Sequence, residues 1–149
     1  MVWGGISSGG KTDLVLIEGN LNGQRYITEI LQSQVVPYAG AIGDEFILMD
    51  DSACPHRARV VDQFQEVQGV TRMEWPANSP DLNPIEHLWD QLKRAVRRRI
   101  NQNTTLGALY QLLSEEWAAL PPQRLSDLID SMPDRCNQVL MKNGGYTSY

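Results

Sequence analysis

The sequence predicts an α/β domain, and three observations carry that expectation. Short β-rich runs at 2–6, 14–17, 46–49 and 70–75 are interleaved with stretches of helical periodicity. The run Phe46-Ile47-Leu48-Met49 is continuously apolar, the pattern of a strand buried on both faces. After Asn83, the residues Ile85, Leu88, Trp89, Leu92, Val96 and Ile100 form one helical stripe. Alternating strands and helices bury their apolar faces by packing in layers.

Each element has its own local reason. Segments 2–6 and 14–17 are expected to pair antiparallel around the glycine- and serine-rich turn 7–11. Asn22 can cap a helix with the stripe Tyr26, Ile27, Ile30, Leu31 and Val35, and Pro37 is its expected stop. A second helix carries Val60, Val61, Phe64 and Val67 on one side and ends at Gly69. The strand 70–75 follows, closed by Pro76. A loop at 77–82 leads into the clearest helix, with Asn83 as cap, Pro84 in first position and Glu86 three residues past the cap. Two further helical patterns run from Leu106 to Trp117 and from Leu125 to Met132, punctuated by Pro121, Pro122 and Pro133. Residues 143–146 read as loop.

Composition narrows the class. A chain of 149 residues is expected to form one domain with one core, and its 42% apolar and 21% charged content argues against disorder. No run approaches the roughly 18 apolar residues that a membrane span needs. The opening residues lack the basic and apolar regions of a signal peptide. Cys54 and Cys136 lie far apart and read as free thiols of an intracellular chain. The net charge of −5 speaks against a general nucleic-acid coat, yet five of the thirteen Lys and Arg fall between Lys93 and Arg99. Lys93, Arg94, Arg97 and Arg98 follow Glu86 on one helix and would suit DNA phosphates; a solvated face or a nuclear-import patch explains the same letters.

A phosphate-loop pattern, Gly5 to Thr12, ends in Gly10-Lys11-Thr12, and Asp50 and Asp51 follow an apolar run. Such a loop must open a helix whose amides face the phosphates. The segment 14–17 reads as β, so an NTPase is the distant alternative.

The stronger signal is a pair of carboxylates. Asp51 ends the apolar run and Glu86 sits in a helix's first turn, with 34 residues between them. Such acids can converge on one divalent ion, Mg²⁺ or Mn²⁺, whose oxygen ligands and bound water suit phosphodiester cleavage. Each also has a plain structural explanation: Glu86 can complete a capping box with Asn83, and Asp51 can cap the turn into 56–59. His56 reads as a hydrogen-bonded loop residue, and Asp50 and Asp81 as edge and turn acids.

The strings WGGISSGGKTDLVLIEG, LMDDSACPH, MEWPANSPDLNPIEHLWDQLKR and NGGYTSY together resemble the catalytic domain of Tc/mariner-type DNA transposases. That resemblance implies an RNase H-like fold, a mixed sheet flanked by helices, and a metal site of three acids that cleaves and rejoins DNA. It matches Asp51 to the second acid and Glu86 to the third. It further implies transposon-end DNA and another transposase chain as partners; a nuclear location is the expectation that the basic run at 93–99 adds. Asp13 and Asp44 do not stand at the position of the first acid. The chain is therefore expected to be one catalytic domain that lacks the first central strand and the helix-turn-helix region, and to be inactive alone. A non-catalytic remnant that binds nucleic acid or pairs with a transposase is the alternative.

Overall fold

The computed structural model describes residues 1–76 and 79–149. Ala77 and Asn78, in the expected loop at 77–82, lie outside the described residues. The chain divides into two compact units, Met1–Gly4 with Val15–Asn78, and Gly5–Leu14 with Ser79–Tyr149.

In the first unit, β1 (Val2–Trp3) pairs antiparallel with β4 (Val15–Leu16), Val2 opposite Leu16 and Trp3 opposite Val15. Asn22 caps the next helix as its sequence suggests, its side chain accepting the Arg25 amide at 2.9 Å. Gly23 follows because nothing larger fits there: a Cβ would stand 2.7 Å from that of Ala58. The helical stretch has three sections: α1 (Gly23–Arg25), a π-helical segment (Tyr26–Val35) and α2 (Val36–Ile42). Tyr26, Ile27, Ile30, Leu31 and Val35 are buried, as the stripe predicts.

Pro37 does not stop this helix, contrary to expectation. The Val36 amide bonds to the Leu31 carbonyl, the wide π pattern, and an α section restarts there with Pro37 in its first turn. A proline in a first turn removes no hydrogen bond that the helix needs. Gly43, with φ of +92°, ends the helix instead.

The expected doubly buried strand is also corrected. β5 (Ile47–Leu48) pairs in parallel with β6 (Thr71–Arg72), and Ile47 is 52% exposed while Leu48 is buried. Among the described residues β5 pairs only with β6 and β1 only with β4, two separate two-stranded pieces. Only one face of β5 is therefore covered. On α3 (Arg59–Gln68) the inward residues are Val61, Phe64 and Gln65, whereas Val67 is 81% exposed and Val60 is exposed too. The spacing of 61, 64 and 65 is a truer helical face than one running through 60 and 67. Gly69 takes φ of +66° and lets the Val70 amide reach the Gln65 carbonyl at 2.9 Å, closing the helix.

In the second unit, β2 (Ile6–Ser7) pairs antiparallel with β3 (Gly10–Lys11). The phosphate-loop letters thus form a β-turn pairing and open no helix, which removes the NTPase reading. Lys11 points its ammonium at the Leu120 carbonyl, 3.5 Å away. A 3₁₀ turn (Pro80–Leu82) precedes α4 (Pro84–Arg97), on which Leu88, Leu92 and Val96 are buried. Ile100 lies past the end of α4 and is exposed. α5 (Leu106–Ala118) carries buried Trp117, which stacks on Trp89 with ring centres 5.3 Å apart, while Leu106 is exposed. Trp117 Nε1 donates to the Thr12 carbonyl at 2.9 Å and the Tyr110 hydroxyl to the Leu14 carbonyl at 3.2 Å, fixing the β2–β3 turn on α5. α6 (Pro122–Asp130) buries Leu125 and Leu128. The chain then continues as α7 (Met132–Met141), where the sequence suggested an end at Met132. Pro133 starts this helix rather than ending the previous one.

Candidate active site

Strand periodicity decides which of two adjacent aspartates faces water. Leu48 and Asp50 are buried and Phe46 half-buried on one side of the β5 path, while Ile47 and Asp51 are exposed on the other. Asp50 is more than the edge acid expected. Its Oδ2 accepts from the Tyr26 hydroxyl at 3.4 Å, and its Oδ1 lies 3.4 Å from Arg72 Nε and 3.6 Å from Arg57 Nη2. Burial pushes its carboxyl above the ordinary range, against the pull of Arg72, His56 and Arg57. Burial, with Asp50 next, drives the Tyr26 hydroxyl far above its usual value. Arg72 also donates to the His56 carbonyl and the Asp62 carboxylate, both at 2.7 Å. Asp50 is thus an internal anchor.

The Asp51 side chain is 57% exposed. Its Oδ1 accepts the Ala53 amide at 2.9 Å and stands 2.7 Å from His56 Nδ1. His56 is half-buried against Tyr26, ring centres 4.4 Å apart, and its amide bonds to the Ala53 carbonyl at 2.9 Å. The loop therefore closes on itself around one carboxylate oxygen. Asp51 caps its turn, as one expectation had it, and also presents an accessible acid, as the other did.

Glu86 is exposed in the first turn of α4. A reciprocal capping box would need the Asn83 amide for the Glu86 carboxylate. That amide is given to the Pro80 carbonyl at 3.0 Å, while the Asn83 side chain accepts from Ile85 at 3.4 Å. The 3₁₀ turn has taken the donor on which the capping explanation depends. Asp81, in that turn, accepts the Thr147 amide at 2.6 Å. Burial raises its carboxyl, but hydrogen bonds from Thr147 outweigh burial and hold it below the usual range.

On the rest of α4, Arg94 pairs with Asp90 at 2.6 Å, and Arg99, past the helix end, with Glu115 at 2.5 Å and Glu116 at 2.7 Å. Lys93, Arg97 and Arg98 are exposed and form no ion pair among the described residues. Arg94 and Arg98 share an open pocket with Arg124 of α6, Leu92 and Leu120. Arg124 carries no signal in the sequence because it stands alone, far from the basic run.

Asp51 lies in the first unit and Glu86 in the second, and each is described within its own unit. Their chemistry fits a hard divalent ion, since both offer exposed carboxylate oxygens. Among the described residues no three His, Cys, Asp or Glu side chains gather into a metal-holding group. No described helix is long and apolar enough to cross a membrane.

Known proteins resemble the chain throughout. It is 33% identical to the Transposable element Tcb2 transposase of Caenorhabditis briggsae, over all of this chain and 54% of that protein. It is 34% identical to the Transposable element Tc1 transposase of Caenorhabditis elegans, with the same coverage. The chain thus spans about half the length of these relatives. Among solved structures, the catalytic domain of the Mos1 mariner transposase superposes with a TM-score of 0.83 at 22% identity, covering 99% of this chain and 74% of that one. That likeness establishes the RNase H-like fold that the sequence led us to expect. The model of the DDE superfamily endonucleases matches residues 1–106, which include both Asp51 and Glu86, and the chain belongs to that family.

Proposed function

We propose that this chain is the catalytic domain of a DNA transposase, with Asp51 and Glu86 as two of the acids that hold a divalent ion at the scissile phosphodiester. The observation that carries this reading is the exposure of these two carboxylates, within the family match, while the neighbouring Asp50 is locked inside. A bound Mg²⁺ or Mn²⁺ would activate water and stabilise the leaving oxygen. Asp51 would offer one oxygen to the ion while His56 and Ala53 steady the other. Glu86 would supply a further carboxylate oxygen, and phosphate oxygens and water would fill the remaining positions, as Mg²⁺ tolerates. Lys93, Arg94, Arg97 and Arg98 would hold DNA phosphates. The substrate on this reading is transposon-end DNA in the nucleus, and the natural partner is a second transposase chain. One solved structure of the Mos1 transposase is a paired-end complex with the left transposon end.

The test is a nicking and strand-transfer assay on transposon-end DNA with Mg²⁺ and Mn²⁺. The 149-residue polypeptide, holding two such acids, is expected to bind the ion weakly and leave DNA uncut. A version extended upstream by a strand bearing a third acid is expected to cut, and to stop cutting in Asp51→Asn or Glu86→Gln. Cleavage that survives either substitution would refute the assignment.

A further inference from the structure

Arg135, on α7, is completely buried and forms no ion pair among the described residues, although the charges of Tyr149 and Asp81 lie near enough to favour its cation against the cost of burial. Its guanidinium spends its donors on neutral acceptors: Nη1 donates to the Asp81 carbonyl at 2.7 Å and Nε to the Ser131 hydroxyl at 2.9 Å, while Nη2 lies 3.5 Å from His87 Nδ1. The Tyr149 ring covers the group, its centre 4.3 Å from the guanidinium carbon, and meets the His87 ring edge-on at 6.0 Å. Asp81 is gripped from a second direction by the Thr147 amide. Ser148 ties the same segment to α7 through the Gln138 side chain, at 2.9 and 2.7 Å.

These contacts converge on the short stretch that carries Glu86. Asp81 lies in the turn that hands the Asn83 amide to Pro80, and His87 is the residue after Glu86. We propose that Arg135 is a positioning residue for Glu86, holding the first turn of α4 through Asp81 and His87, and that Thr147–Tyr149 form the strap that seals it from water. The proposal rests on Glu86 being a metal-binding acid. A desolvated guanidinium bonds its acceptors more strongly than a hydrated one, so the strap's cover and the turn's rigidity are linked.

The test uses the 149-residue chain without DNA, with Mn²⁺ as the probe. Amide exchange is read at Asn83, Glu86 and Thr147, and bound Mn²⁺ is counted by electron paramagnetic resonance. Tyr149→Leu should speed exchange at all three amides by roughly threefold to tenfold, and leave amides of α3 unchanged. It should weaken Mn²⁺ binding by about tenfold, the usual effect of losing support behind a ligand. Arg135→Lys should restore part of what Arg135→Met removes, because an ammonium can keep the Asp81 carbonyl and the ring. If Arg135→Met fails to fold, Tyr149→Leu decides, since that ring is partly exposed. Glu86→Gln should weaken Mn²⁺ binding without changing exchange, and adding Tyr149→Leu to it should weaken binding no further. Unchanged exchange in Tyr149→Leu, or a further loss in the double variant, would overturn the positioning role. Unchanged Mn²⁺ affinity in Glu86→Gln would instead sink the reading of Glu86 on which the role rests.

Discussion

Asp51 Oδ1 lies 2.7 Å from His56 Nδ1 and accepts the Ala53 amide, while Asp51 Oδ2 has no hydrogen bond among the described residues. One carboxylate therefore divides its labour: one oxygen holds the loop, and the other stays open to water. Asp51→Asn keeps an oxygen for the Ala53 amide, so stability should change by no more than about 1 kcal/mol. Mn²⁺ affinity should fall by at least about tenfold, because the open anionic oxygen is gone. Thermal melts beside Mn²⁺ titrations of the same variant test the division. Equal loss in both measurements would make Asp51 a structural acid only.

Asp50 behaves in the opposite way. Its folded pKa is raised, chiefly by burial, so the ionised carboxylate costs stability at neutral pH. That cost disappears as pH falls through the raised value and the group takes up its proton. Asp50→Asn lacks the titration, although it also loses the attraction of Arg72 and Arg57 at every pH where they are charged. The stability of the parent chain minus that of Asp50→Asn should therefore rise as pH is lowered from 7 toward about 4, the carboxylate's ordinary range. Urea unfolding of both proteins across that range measures it. A difference that falls with acidity would mean that the arginines, and not burial, dominate the site.

Such contrasts explain what could be read in advance. Asn22, Asn83 and Gly69 carry signals fixed by neighbours in sequence, and all three act as caps or stops as expected. Asp51 and Glu86 stand out in the sequence only because the resemblance puts each acid in a distinctive string, and their role as metal-binding acids is the proposal made above. Pro37 is misleading because proline rules read it as a stop, whereas here it stands in the first turn of an α section that follows directly on the π-bonded segment. α7 gave little warning: Leu140 and Met141 are exposed, and its buried residue is an arginine. Burial of Arg135 and Asp50 depends on Tyr149 and Arg72, partners 14 and 22 residues away whose pairing no local pattern announces.

Gly23 offers a test of the first unit's packing. Alanine is the better helix former, which alone would favour Gly23→Ala by up to about 1 kcal/mol. The added methyl would meet Ala58 at 2.7 Å, however, inside any real contact distance. The clash should win, for a net loss of about 1–3 kcal/mol. Ala58→Gly in the same chain should recover much of that loss. Chemical denaturation of the two single variants and the double variant measures the coupling, and additive effects would mean that the two backbones sit farther apart.

The basic residues of α4 make separable predictions because they are not equivalent. Arg94 already faces Asp90 at 2.6 Å, and its charge is partly spent at home. Lys93, Arg97 and Arg98 have no such partner among the described residues, and each can release a counterion by meeting a phosphate. Neutralising these three should weaken binding to all DNA sequences alike. The slope of log affinity against log salt should flatten by roughly 0.9 for each phosphate left without its cation. Arg94→Gln should flatten it less, because Arg94 must leave Asp90 before it can meet a phosphate. Arg124→Gln should behave like Arg98→Gln, since both side chains line the same open pocket. Fluorescence anisotropy with one labelled duplex and one unrelated sequence, titrated at several salt concentrations, separates these effects. Undiminished binding and an unchanged slope after all of Lys93, Arg97 and Arg98 are neutralised would reduce the strip to a solvated face.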